Sequence, residues 1–456
     1  MSSMRLPSPA AALLALACVV ESHAAGFDCR ASASPSERTI CADTRLRQLD
    51  AKLADAYATA RGASADLNAD LRQQQRSWLQ ERDSCGTDSA CLAARYEARI
   101  AAFGMPPQAD MEALEALRRA VEAAGRSDAG RPLETALAGL AIKAGMTSFT
   151  NEDDPDNAAA PPRFPRRQPP GVSDAEWRAL LASRIEGGGE NGRASYTLLD
   201  LDGDGRRDLV VDTYTGGTGM YSSVGVLRQE DGRYGVPGAG PGAAGQDVDA
   251  LLEGAYLYAI GARGSNVSAD WIRLHDRVYV AFRDGRYGVD QVSLLRPWRA
   301  KGLVPRLSIR YRYRLSVPAI QSRAERPPAR LAPALHRALN AAARQATLLA
   351  DKVPAQPAQP ICPVAADASE DVHDASLRYG PGHYTIESVA DVPVQVGAQC
   401  YIGQLMSWFG GYDAKDGLAA QLCMRKPEEQ ESSWENCYTV QGPRSVVRID
   451  AGLGLY

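Results

Sequence analysis

The cysteines constrain this chain more than any other feature. Nine occur in 456 residues. Cys18 lies in an apolar N-terminal segment, and the remaining eight fall into two groups: Cys29, Cys41, Cys85 and Cys91, then Cys362, Cys400, Cys423 and Cys437. None lies between the groups. An even set divided this way reads as two separately cross-linked regions in an oxidising compartment. Thiolate metal binding is the competing reading, but there is no CxxC pair and no His at ligand spacing.

The N-terminus agrees with export. Met4-Arg5 gives a positive end, Ala10 to Val20 is a short apolar core, and Ser22-His23-Ala24 or His23-Ala24-Ala25 fits small-residue cleavage. Residues 1–25 are therefore predicted to be a signal peptide. The segment is too short to span a bilayer, and no other stretch is long and apolar enough, so no transmembrane segment is predicted. Cys18 raises the lipoprotein alternative. Ala15-Leu16-Ala17 precedes it, with Ala rather than Leu three positions ahead, so a soluble periplasmic or secreted protein is preferred.

The formal net charge is −4, unevenly spread. Residues 26–103 hold 11 acidic and 11 basic side chains, and residues 355–456 hold 13 and 6, a balance of −7. No basic patch interleaved with aromatics appears, so nucleic acid is not an expected partner. At this length, two or three domains are expected.

Ser34-Pro35-Ser36-Glu37 predicts a helix start with a capping box and Pro at the first helical position. Asp43 can cap a second run, in which Leu46, Leu49, Leu53, Ala56 and Ala60 make one apolar stripe. A turn near Gly62 sends the chain back through Leu67, Leu71, Trp78 and Leu79. After Cys85-Gly86 a third helix carries Leu92, Tyr96, Ile100 and Phe103. The hairpin puts Cys41 and Cys85 at one end. Cys41–Cys85 with Cys29–Cys91, or the local Cys29–Cys41 with Cys85–Cys91, both satisfy that layout, and spacing does not choose between them.

The pattern FDC, SxxExxIC, LDxxLxxAY (Leu49-Asp50, Leu53, Ala56-Tyr57), QRxWLxERDxC and CLxxxYxxRI resembles the LprI-like N-terminal module of exported bacterial proteins. The likeness covers about 75 residues. The family takes its name from a mycobacterial lipoprotein described as a lysozyme inhibitor. The resemblance implies a helical fold with structural cysteines, and an exported protein partner, with lysozyme suggested.

Asp110 to Ala144 continues as one or two helices, and Asn151 to Pro170 is a loop rich in Asp, Ala, Pro and Arg. Asp174-Ala175-Glu176-Trp177 opens a short helix. From Tyr196 the pattern changes to strands around Asp200-Leu201-Asp202-Gly203-Asp204-Gly205-Arg206-Arg207-Asp208. Carboxylates at alternate positions of a tight turn suit one hard cation. Asp200, Asp202, Asp204, the Arg206 carbonyl and Asp208 are the candidate calcium ligands. Val211 stands where an EF-hand places its closing acid, so the loop resembles the strand-flanked calcium loops of FG-GAP and integrin-type repeats. An Asp/Gly turn without an ion is the plainer reading.

The hexamer Asp231-Gly232-Arg233-Tyr234-Gly235-Val236 recurs at Asp284-Gly285-Arg286-Tyr287-Gly288-Val289 and predicts two hairpins. Val304 to Arg314 alternates Arg or Ser with apolar residues, giving one cationic face, and Leu331 to Asp351 is a helix with His336. Val353 to Pro363 is a Pro/Gln linker. Beyond it, Cys423 and Cys437 flank a polar turn and are placed to pair across a hairpin. Trp408-Phe409-Gly410-Gly411-Tyr412 reads as an aromatic turn.

The predicted fold class is multidomain α+β: a disulfide-stapled helical hairpin or three-helix module, a middle α+β domain with an antiparallel sheet, and a small C-terminal all-β domain. The predicted boundaries are 26–104, a helical segment and Pro-rich linker at 105–170, the α+β domain at 171–352, a linker at 353–363 and the β domain at 364–456. No HExxH or GxSxG occurs. His373 with Asp374, or His383 with Asp371, could be drawn as dyads, but an acidic surface explains them better, and no enzyme is expected. The function expected is that of an envelope binding or inhibitory protein. The alternative is a non-enzymatic structural or ligand-binding protein with a calcium-stabilised β domain.

Overall fold

The computed structural model describes residues 29–32, 34–63, 68–104, 106–152, 164–185, 193–216, 221–236, 255–261, 267–298, 302–318, 331–349, 386–413, 417–427 and 437–456. The predicted signal peptide, the linker at 353–363, Cys362, His373 and His383 lie outside them. The chain divides into two units, Met1–Phe103 and Gly104–Tyr456.

The first unit is helical. After a 3-10 turn at Cys29–Ala31 come α1 (Pro35–Ala42), α2 (Thr44–Ala63), α3 (Asn68–Asp83) and α4 (Ser89–Ala102). Ser34 and Glu37 form the predicted capping box. Asp43 accepts from the Arg45 and Leu46 amides, and Asp88 accepts from Ala90 and Cys91 at the start of α4. The apolar stripe points inward, and Ile40, Leu46, Leu53, Leu71, Leu92 and Tyr96 are all buried.

The second unit adds α5 (Gln108–Gly125), α6 (Pro132–Leu140), α7 (Asp174–Ser183) and α8 (Pro333–Leu349) to three antiparallel sheets. In the first sheet β1 (Thr147–Thr150), β2 (Ala194–Leu199), β3 (Asp208–Gly216), β4 (Tyr221–Glu230) and β5 (Arg233–Gly235) follow in order, and β6 (Tyr256–Gly261) pairs with β4. The second sheet is a meander of β7 (Val267–Leu274), β8 (Arg277–Arg286), β9 (Val289–Leu295) and β10 (Leu303–Tyr313). The third joins β11 (Ile386–Val396), β12 (Gln399–Asp413), β13 (Gly417–Arg425) and β14 (Cys437–Val440). The last strand, β15 (Arg444–Leu455), leaves that sheet and pairs with β10 along its whole length.

Three apolar layers order these elements. Leu209 and Val211 face Ala179 and Leu180 of α7. Val210, Val224 and Val226 on the opposite face of the first sheet meet Val278, Val280 and Val304 of the second. The other face of the second sheet, including Tyr279, Leu294 and Ile309, packs with α5, α6 and α8 and with Val394 and Leu422 of the third sheet. Alternate residues of one strand serve different layers, as the two-residue side-chain period requires.

The sequence reading therefore needs three amendments. Residues 353–363 do not divide two cores among the described residues, because one apolar cluster runs from Ala113 to Val440 and β15 returns to β10. The second hexamer turns later than the first. Asp231 and Gly232 form the tip between β4 and β5, whereas Asp284 and Gly285 stay in β8 and the tip moves to Tyr287-Gly288. Pairing of Val267 with Asp284 extends β8, and Gly288 supplies the positive φ of 74°. The backbone of Trp408 to Tyr412 lies within β12, so it is strand and not a turn.

Candidate functional site

The helical unit is fastened at two places. Cys29 bonds Cys41 and Cys85 bonds Cys91, closing loops with sequence separations of 12 and 6. Of the two pairings left open by spacing, the structure holds the local one. A buried polar chain links three helices. Arg82, with its side chain 4% exposed, donates to Asp83 at 2.7 and 2.9 Å and to the Tyr96 hydroxyl at 3.4 Å. Tyr96 donates in turn to Asp50 at 2.8 Å. Burial, then the Asp50 charge, pushes the Tyr96 phenol far above its ordinary pKa. Trp78 meets Tyr96 edge-on with centroids 5.3 Å apart.

Outside this chain the surface is mixed in charge. Arg45 pairs with Glu97 at 2.8 Å and Arg95 with Glu81 at 3.4 Å, all exposed. Arg99 lies over Phe103 at 4.6 Å and donates to Gln75, while Arg61 lies over Tyr57 at 5.8 Å. Phe103 is buried, so Arg99 covers it from outside.

The second candidate is the Asp-rich loop between β2 and β3. Carboxylate oxygens of Asp200, Asp202 and Asp208 lie within 4.8 Å of one another. Asp200 accepts from the amides of Gly203 and Gly205, both at φ 82°, a conformation that favours glycine. Asp208 is buried and accepts from Leu201 and Gln229. Burial lifts its carboxyl to about 6, with Asp202 and Asp204 adding to the rise and the two amides opposing it. Asp204 turns instead to Arg206, whose guanidinium bonds it at 2.9 Å. Asp202 pairs with Arg228 at 2.6 Å. Three of the four predicted carboxylates thus converge, which fits a hard cation. A cation would have to compete with Arg228 for Asp202 and with backbone amides for Asp200 and Asp208.

A family model described as Lysozyme inhibitor LprI matches residues 29–120. This stretch is similar to an LprI-type domain. The match takes in the whole helical unit from Cys29 and continues into α5, which belongs to the second unit. No curated protein and no solved structure matches the chain. Several polar residues of the LprI motif, namely Asp50, Arg82, Asp83 and Tyr96, bond one another across α2, α3 and α4. They tie α2, α3 and α4 to one another. In α5, Asp110 is buried and accepts from Tyr279 at 2.9 Å, which anchors that helix on the second sheet.

In the third sheet Cys423 bonds Cys437 across β13 and β14, and Cys400 is disulfide-bonded. His336 sits on α8, with Nε2 2.9 Å from the Val317 carbonyl, and His275 occupies a turn at φ 47°. Among the described helices none is long and apolar enough to cross a membrane.

Sequence reading missed a buried ion network. Arg444, with its side chain 1% exposed, donates to Glu134 at 2.9 and 3.2 Å and to the Gly130 carbonyl at 2.8 Å, and lies 4.0 Å over the Tyr311 ring. Arg283 bridges Glu134 at 3.1 Å and Asp290 at 2.9 Å. Burial alone would raise the Glu134 carboxyl, but Arg283 and Arg444 hold it below its ordinary value. Its members lie at separations up to 310 residues, so no local spacing marks them.

Proposed function

We propose that the protein is an exported cell-envelope factor that binds and inhibits a protein partner through its LprI-type domain, with lysozyme the partner the family description names. The observation that carries this reading is the family match over residues 29–120, falling on the helical unit with its two local disulfides. The disulfides and the Arg82–Tyr96–Asp50 chain fix a small surface in place, and a preformed surface loses less entropy on binding. The unit's balance of 11 acidic and 11 basic groups means that net charge does not steer it to a basic enzyme, so recognition rests on local pairs. The protein works by presenting this surface and not by catalysis. A lysozyme turbidity assay tests it: the mature chain and a fragment of residues 26–125 should both slow clearing of cell-wall suspensions. Inhibition by neither removes the reading.

A second reading is that calcium organises the β-rich unit, leaving the protein as a structural or ligand-binding component of the envelope. The convergence of Asp200, Asp202 and Asp208 favours it. Calcium should raise the melting temperature, and Asp202→Ala should abolish the rise. Asp204→Ala should preserve it, because Asp204 faces Arg206. No rise in the parent protein removes this reading.

A further inference from the structure

A polar cleft of about 360 Å³ opens on the first sheet, and no residue of either candidate site above lines it. Its wall follows from strand register. Thr150 stands opposite Ser195, Ser195 opposite Asp212, Asp212 opposite Val224, and Val224 opposite Tyr258. Directly paired residues share a face, with Cβ atoms about 4.5–5.5 Å apart. Val224 and Tyr258 belong to the apolar layer between the sheets. The same row therefore runs from the core into the half-buried Asp212 carboxylate, a residue type that strands disfavour, and on to the exposed Ser195 and Thr150 hydroxyls.

Asp212 is the centre of this wall. It is half-buried, and burial raises its carboxyl above the ordinary value, opposed by a hydrogen bond with Ser222. No described Arg or Lys pairs with it. Tyr214 lines the cleft beside it, and exposed Arg193 stands at the rim. An ionised carboxylate only accepts, so an occupant must bring O–H or N–H donors to Asp212. Arg193 only donates, so the occupant must also bring acceptors. An apolar ligand would strand these groups without partners, which costs affinity. An anion would be opposed by Asp212. A neutral sugar ring carries donors and acceptors around its whole edge and an apolar face for a phenol ring. The volume lies near the lower end of the ~300–1,000 Å³ typical of ligand sites.

We propose that this cleft is a binding site for a short neutral saccharide, with Asp212 accepting from ring hydroxyls, Ser195 and Ser222 bonding neighbouring hydroxyls, and Arg193 donating to a ring or linkage oxygen. It is independent of the LprI-type domain, because none of these residues lies in 29–120.

Saturation-transfer NMR and calorimetry on the full mature chain test it, with maltotetraose, cellotetraose and the N-acetylglucosamine tetramer as probes and triglycine as a comparator. At least one tetrasaccharide should bind saturably. Asp212→Asn should weaken it by about tenfold, since a neutral amide oxygen accepts more weakly than a carboxylate and one of its two acceptor oxygens becomes a donor. Ser195→Trp, at an exposed position, should fill the cleft and abolish binding at an unchanged melting temperature. That second variant decides the matter if Asp212→Asn fails to fold. The proposal is overturned if no tetrasaccharide binds at about 10 mM, a concentration that detects millimolar affinity. It is also overturned if Ser195→Trp binds as the parent does, or if triglycine binds while the saccharides do not.

Discussion

In residues 29–103 the disulfides close loops of 12 and 6 residues, and the buried polar bonds join helices that follow one another within 50 residues. In residues 104–456 the last strand pairs with β10, and Arg444 reaches Glu134 across 310 residues of sequence. One unit is stabilised by limiting what its unfolded chain can do. The other depends on contacts that exist only once distant segments have met. A small helical core needs covalent help, whereas the Cys423–Cys437 bond of the larger unit closes a local hairpin and does not join its distant segments.

Arg444→Ala should have the largest effect, because it takes a partner from half-buried Glu134 and from buried Asp290, which lies 3.7 Å from the Arg444 guanidinium. A loss of about 3–5 kcal/mol is expected by denaturant unfolding of the mature chain. A loss below about 1 kcal/mol would mean that the network contributes little, and the contrast between the units would weaken. Replacing Cys29 and Cys41 by Ser should cost about 3 kcal/mol, and replacing Cys85 and Cys91 about 2 kcal/mol, from the loop lengths each bond closes. Both losses should appear in the transition of the helical unit alone, followed by its far-UV helical signal.

Asp391 sharpens the comparison through pH. Burial raises its carboxyl to about 6, although Arg425, 3.8 Å away, opposes the rise. The folded form therefore holds a proton that the unfolded chain releases near pH 4. Its contribution to stability is present at low pH and falls as pH rises from about 4 to 6. Asp391→Asn should remove about 3 kcal/mol of that fall, seen as a flatter pH profile of unfolding. An unchanged profile would show that Asp391 is hydrated in the folded state. Glu176 runs the other way. Arg207 and Ser173 hold it at about 2 against the effect of burial, so its contribution is lost as pH falls from about 4.5 towards 2. The smallest effect is expected for Ser34→Ala, which removes the capping box of α1 at a cost of about 1 kcal/mol.

The helical unit was legible because its signals are local. Ser34 with Glu37, the Asp43 cap and the leucine stripe each lie within one or two turns, and the structure reproduces them. The motif's polar residues were legible as a family pattern, but their mutual bonding was not, since it needs three helices in place. In the β-rich unit, the Asp loop and the β4–β5 turn could be read from their glycines. The second hexamer misled because identical residues took a turn set by their neighbours' pairing. The arginines of β10 had two fates that alternation does not distinguish. Arg310 and Arg312 are exposed, whereas Arg306 tucks over Gly454 and donates to the Leu455 carbonyl at 2.8 Å. A Cβ at Gly454 would collide with that guanidinium, so the two positions are coupled across strands.

The most direct measurement is amide hydrogen exchange on the mature chain, alone and saturated with lysozyme. The account predicts new protection confined to residues 29–120, strongest on exposed turns of α2 to α4. Protection confined to later residues, or no change anywhere, would contradict it.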